Sequence, residues 1–121
     1  FLHILNLDGF DKEMYLYEDG RKLLGGRKFL LQSKDAVMLP IDMKLNNVGI
    51  KYSTAEIKEI KKEYIRFRLT QMQDVIAFDP PIEIIPDKDY IVKREDNTIM
   101  VISQKNAKVD DNLKVFLKSE L

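Results

Sequence analysis

Ser53-Thr54-Ala55-Glu56-Ile57-Lys58-Glu59-Ile60-Lys61-Lys62-Glu63-Tyr64-Ile65-Arg66-Phe67-Arg68-Leu69 carries two opposed structural signals, and the choice between them sets the fold class. Ser53 followed three residues later by Glu56 has the form of a capping box, in which hydroxyl and carboxylate each satisfy a free backbone N–H at a helix start. Ile57, Ile60, Tyr64 and Phe67 then recur at three- and four-residue spacing, with the helix formers Ala, Glu and Lys between them. From Ile65 the pattern changes. Ile65, Phe67 and Leu69 alternate with Arg66 and Arg68, which is the period of a half-buried strand. The segment reads as one helix near residues 54–63 followed by a strand, with a helix continued to about Gln73 as the other reading. The class is therefore α+β and β-rich.

Most of what surrounds this segment reads as strand. Met14-Tyr15-Leu16-Tyr17 leads into Glu18-Asp19-Gly20, where Gly20 supplies the positive φ of a tight turn. Gly25-Gly26 between Leu23-Leu24 and Lys28–Leu31 suits a second two-residue hairpin, giving a meander. Val37, Leu39, Ile41, Met43 and Leu45 fall on one side of an alternating run, and Pro40, which has no N–H for a ladder, sends that strand to an edge or a bulge. Asn46-Asn47 with Gly49, Asp79-Pro80-Pro81 and Pro86-Asp87 punctuate the chain. Ile82–Ile85 reads as a strand, and Tyr90–Lys93 with Thr98–Ser103 as a hairpin about Glu95-Asp96-Asn97. Leu113–Leu117 closes the chain as a strand or as a helix capped by Asp110 or Asp111. The expectation is an antiparallel meander, small barrel or sandwich of about 7–8 short strands. With 121 residues and 45% hydrophobic content, residues 1–121 form a single domain, either a trimmed chain or one domain of a longer protein.

Composition removes several chemistries. There is no cysteine, so disulfides, thiolate nucleophiles and cysteine-held zinc are excluded. His3 is the single histidine and has no partners at metal-ligand or triad spacing, so packing or exposure accounts for it. Asp8, Asp11 and Glu13 do not follow the order of a calcium loop. Asp42-Met43-Lys44 has the acid-x-lysine form found in metal-dependent nucleases, yet alternation alone produces it on any solvated strand face. Gly20, Gly25 and Gly26 lack the Lys-Ser/Thr ending of a phosphate-binding loop. No cofactor, metal or catalytic residue is assigned, and the chain is not read as an enzyme.

Charged residues make up 33% of the chain but sum to zero, so any preference for nucleic acid or anionic ligand has to be local. The densest cations are Lys58, Lys61, Lys62, Arg66 and Arg68, with Tyr64 and Phe67 interleaved. Together with Arg27 and Lys28 they form the candidate ligand-binding set, since on a strand Arg66 and Arg68 project from one face and can grip phosphates or carboxylates. Glu56, Glu59 and Glu63 lie among them, which is the ordinary signature of a salt-bridged solvated face and the reading preferred for the segment. Lys61-Lys62 and Arg66 ahead of an alternating strand resemble the opening of PilZ-type cyclic-dinucleotide receptors. Lysines stand for the arginines of that opening, and no Asp-x-Ser-x-x-Gly follows, so the family is not assigned.

Functionally the sequence points to a non-catalytic protein-interaction or assembly module whose partner is another protein or a second copy. Exposed aromatics such as Tyr15 and Tyr17 and a proline-marked edge fit strand or patch addition. The alternative is a small β-barrel that binds single-stranded nucleic acid or a phosphorylated ligand through the basic patch, with Arg21 and Lys22 adding to it. Phe1–Leu5 is too short for a membrane span, and a soluble, cysteine-free chain favours the cytoplasm.

Overall fold

A computed structural model describes residues 1–45, 48–79, 83–86, 91–95, 99–103 and 112–118. Regular structure there is strand almost throughout, with a single 3₁₀ turn at Leu24–Gly26. The N-terminal part holds β1 (Leu2–Leu5), β2 (Lys12–Tyr15), β3 (Tyr17–Glu18), β4 (Arg21–Lys22), β5 (Lys28–Leu31) and β6 (Ala36–Leu39). β7 (Ile41–Leu45), β8 (Val48–Ser53), β9 (Glu56–Ile60), β10 (Tyr64–Arg68) and β11 (Gln73–Asp79) follow. β12 (Glu83–Pro86), β13 (Ile91–Arg94), β14 (Ile99–Ser103) and β15 (Asn112–Lys118) complete the set.

The expected helix near 54–63 is absent, so the protein is mostly β rather than α+β. Both signals that suggested a helix have other causes. Ser53 Oγ bonds locally with the N–H and C=O of Ala55, and Glu56 reaches the N–H of Met38 at 3.1 Å. Neither half of a capping box is therefore available. The three-residue spacing of Ile57 and Ile60 comes from a bulge in β9. Ile60 faces Ile65, Glu59 faces Arg66, and the register then slips so that Ile57 faces Phe67 and Glu56 faces Arg68. Lys58 is the extra residue, and inserting one residue turns a period of two into a gap of three. Residues 64–68, the strand half of the reading, form β10.

All strand pairs are antiparallel. β12-β15-β10-β9 make one sheet and β13-β14-β11-β8-β7 a second, and neither closes into a barrel. Their inner faces share one cluster: Ile65, Phe67, Leu113 and Val115 from the first meet Ile50, Ile76, Phe78, Met100 and Ile102 from the second. Among the described residues the chain crosses between these sheets at Thr54-Ala55 and at Leu69–Met72. Thr54 Oγ1 donates to Asp74 at 2.7 Å and accepts from the Val75 N–H at 2.8 Å. Asp74 also accepts from the Thr70 and Gln71 backbone N–H groups at 3.1 and 3.3 Å. The fully buried carboxylate thus joins both crossings, and burial pushes its pKa up to about 6 against the opposing effect of those bonds.

The N-terminal strands form two-stranded ribbons, β1-β6, β2-β5 and β3-β4. Their core is smaller: Leu24, Phe29, Leu31, Val37 and Leu39, with Leu2, Ile4, Met14 and Tyr52 packed against it. The Asp19-Gly20 turn forms as expected, with φ of +49° and +77°, the type I′ geometry of a right-twisted hairpin. The second expected hairpin does not. β5 pairs with β2, so residues 12–31 make one long hairpin whose return strand carries an insertion at 24–27. Gly25 sits in that insertion at φ +65°, and a Cβ there would stand 2.6 Å from Tyr52 Oη.

Pro40 acts as a switch point. The alternating run it interrupts is split between β6, in a ribbon, and β7, at the edge of the five-stranded sheet. The edge expected for this run is present at β7, since a residue without an N–H is tolerated where pairing stops. The 91–94/99–103 hairpin is formed, and residues 112–118 are strand rather than helix. Asn46-Asn47, Pro80-Pro81, Asp87, Asp96-Asn97, Asp110 and Asp111 lie outside the described residues. Among the described residues no helix is long and apolar enough to cross a membrane.

Candidate functional site

Alternation in β10 places Ile65 and Phe67 in the core and turns Arg66 and Arg68 outward, as the sequence implied. Each guanidinium then meets an acid on the neighbouring strand. Arg66 Nη2 lies 2.7 Å from Glu59 Oε1, which also accepts from the Tyr64 hydroxyl at 2.7 Å. Those two bonds hold the Glu59 carboxyl below its ordinary range, Tyr64 first and Arg66 second. Glu59 in turn raises the pKa of both Tyr64 and Arg66. Arg66 Nε is a buried nitrogen without a hydrogen-bond partner among the described residues, so this guanidinium is held by its far end.

Arg68 is more enclosed. Its Nε donates to Glu56 Oε1 at 2.5 Å, its Nη2 pairs with the same carboxylate, and Asp35 Oδ2 stands 3.5 Å away. The Arg68 and Glu56 side chains are 15% and 9% exposed, so the pair is nearly dry. Because Glu56 also accepts from Met38 N in β6 and Asp35 precedes β6, this cluster links the sheets to the ribbons. Gln71 makes a second link: its side-chain amide accepts from Leu30 N at 2.9 Å and donates to Leu30 O at 2.8 Å, as a strand residue would.

The remaining members of the basic set have other surroundings, except that Lys58 shares Glu56 with Arg68. Arg27 pairs with Glu95, and Lys58 stands 3.9 Å from Glu56. Lys28 lies over the Tyr15 ring at 5.6 Å, where Lys22 lies at 4.0 Å. Lys61 and Lys62 are exposed at the β9–β10 turn. Of the seven residues, Arg66, Arg68, Arg27 and Lys58 lie against carboxylates. Glu56 and Glu59 were legible as partners because they are interspersed in the same segment. Asp35 and Glu95 were not, because they are remote in sequence.

A cleft of about 440 Å³ opens where the 24–27 insertion meets β7 and β8, lined by Lys22, Gly25, Asp42, Lys51, Tyr52 and Asp79 among others. Its charges are mixed, and Asp42 holds a left-handed φ of +49°. Among the described residues no group of three His, Cys, Asp or Glu is placed to share a metal ion. The buried polar cluster of Thr54, Thr70 and Asp74 was missed in the sequence, where Asp74 stands out only as one acid in an acidic stretch. It is buried and joins crossings.

No protein-family model matches the chain, and no curated protein matches its sequence.

Proposed function

We propose that the chain is a non-catalytic protein-interaction or assembly module that acts through its N-terminal ribbons. One observation carries this reading. Among the described residues the five most exposed large apolar side chains are Leu7, Phe10, Leu5, Phe1 and Tyr17, at 57% to 70% exposure, all within the first 17 positions. Among the described residues eight of the thirteen exposed large apolar side chains lie in residues 1–39, and such a concentration on a folded chain marks a contact surface. The basic-patch reading has less support, since four of its cations already face acids, and a phosphate would have to displace those carboxylates.

Light scattering across a concentration series, combined with affinity isolation on the immobilised chain, tests the proposal. Association that weakens when Leu7 and Phe10 become Ser is expected. A monomer at every concentration that also retains no partner rejects it. Titration with labelled single-stranded oligonucleotides separates the alternative: salt-sensitive binding lost in Arg66→Ala/Arg68→Ala would replace this reading with the ligand-binding one.

A further inference from the structure

The hydrogen-bond phase of the β1-β6 ribbon fixes what β1 offers to its surroundings. Asn6 N donates to Asp35 O at 2.9 Å, continuing the register that pairs Ile4 with Val37 and Leu2 with Leu39. Met38 N and Ala36 N instead donate to the side chains of Glu56 and Asp35. Residues facing one another in an antiparallel ladder alternate between pairs that exchange both backbone bonds and pairs that exchange none. The even residues of β1 are therefore bonded to β6, and the N–H and C=O groups of His3 and Leu5 point to the opposite edge. Among the described residues no strand lies there. The next odd residue is closed off, because Lys34 Nζ caps the Leu7 carbonyl.

We infer that this edge pairs with the β1 edge of a second copy of the chain, antiparallel and about a two-fold axis at Ile4. The inference rests on the assembly reading and specifies its partner. A two-fold at Ile4 brings His3 opposite Leu5 of the other copy and Leu5 opposite its His3, so the outward groups of both strands meet as reciprocal hydrogen-bonded pairs. Side chains agree with the same register. Phe1 comes opposite Leu7, so exposed apolar groups cover one another, and Ile4 meets Ile4 on the inner face. Charge agrees as well: residues 1–7 contain no Asp, Glu, Lys or Arg, so a two-fold brings no like charges together. Free edges are commonly guarded by lysine, proline or a bulge, and β1 has none of these. The result is a four-stranded sheet with an isologous interface.

Sedimentation equilibrium of the chain is expected to give twice its mass, and Leu5→Pro to return it to the monomer. Proline at position 5 removes an N–H that points away from β6, so the internal ladder and the circular dichroism spectrum stay unchanged. An independent readout keeps folding defects separate. In a cysteine-free chain Ile4→Cys places one thiol on the axis, where facing Cα atoms lie about 4.5 Å apart, within disulfide range. Mild oxidation is expected to cross-link Ile4→Cys and to leave Tyr17→Cys, whose β1 edge is unchanged, without a cross-link. A dimer that survives Leu5→Pro and does not cross-link through Ile4→Cys overturns the β1 pairing while leaving assembly intact. A monomer at all concentrations overturns self-pairing, and if the immobilised chain also retains nothing, the assembly reading falls with it.

Discussion

The two sheets of residues 41–118 and the ribbons of residues 1–39 are built from the same alternating patterns but solve burial differently. In the sheets the inner faces share one cluster that includes Phe67 and Phe78, and the buried Asp74 ties the crossings together. In the ribbons, pairs of short strands enclose only a small cluster and leave Phe1, Leu5, Leu7 and Phe10 in solvent. Two-stranded ribbons are marginal by themselves. The N-terminal part is therefore held by its contacts with the sheets: Tyr52 packed into its core, Gln71 along β5, and the Arg68–Glu56–Asp35 cluster. The sheets hold the larger core, and among the described residues the ribbon region carries the most exposed apolar side chains.

Truncating a core aromatic in each region tests this division most strongly. Phe67→Ala is expected to lower the main unfolding transition by about 4 kcal/mol in denaturant titration. Phe29→Ala is expected to leave that transition within about 1 kcal/mol and to strip amide protection from residues 1–39 alone, as a local opening does. Equal losses in both transitions would erase the distinction.

Arg68→Ala sharpens the comparison at the junction. It strands the nearly dry Glu56 carboxylate, at a cost of about 3 kcal/mol. The loss should appear first as faster amide exchange at Met38, on the ribbon side. Arg66→Ala provides the contrast: its side chain is 38% exposed and its pair is screened by solvent, so the same substitution two residues away should shift stability far less. Similar costs at the two positions would show that Arg68 is not the link described.

Titration distinguishes two carboxyl groups within the sheets. Asp74, with a folded pKa of about 6 against an ordinary 3.8, binds extra protons in the fold. Its contribution therefore makes the sheets more stable as pH falls from above 6 towards 4, by at most about 3 kcal/mol, and this gain is lost as pH rises again. Glu59 has the opposite sign: its depressed pKa contributes stability above its ordinary value, which is lost as pH falls through the folded one. Comparing denaturant midpoints of the wild type and Asp74→Asn from pH 7 to 4 isolates the first effect, and parallel pH profiles would reject it.

The sequence was readable where the period was unbroken. Ile65, Phe67 and Leu69 marked β10 and the outward turn of its arginines, Asp19-Gly20 marked a turn, and Tyr90–Lys93 with Thr98–Ser103 marked the hairpin that pairs 91–94 with 100–103. It misled where one residue was inserted or a run changed sheets. The bulge at Lys58 imitated a helical gap, Pro40 divided one apparent strand between two sheets, and the insertion at 24–27 displaced a glycine turn. Within the basic set, partners close in sequence were visible, while Asp35 and Glu95 needed the folded chain. The free edge of β1 lay beyond sequence reasoning altogether, because backbone phase depends on which neighbour the strand has already taken.

Amide exchange along β1 at low and high protein concentration tests the contact role of the N-terminal region most directly. The Ile4 N–H, bonded to β6, should exchange slowly at both concentrations, while those of His3 and Leu5 should be fast in dilute solution and slow in concentrated solution. Fast exchange at His3 and Leu5 across the whole range would contradict the account.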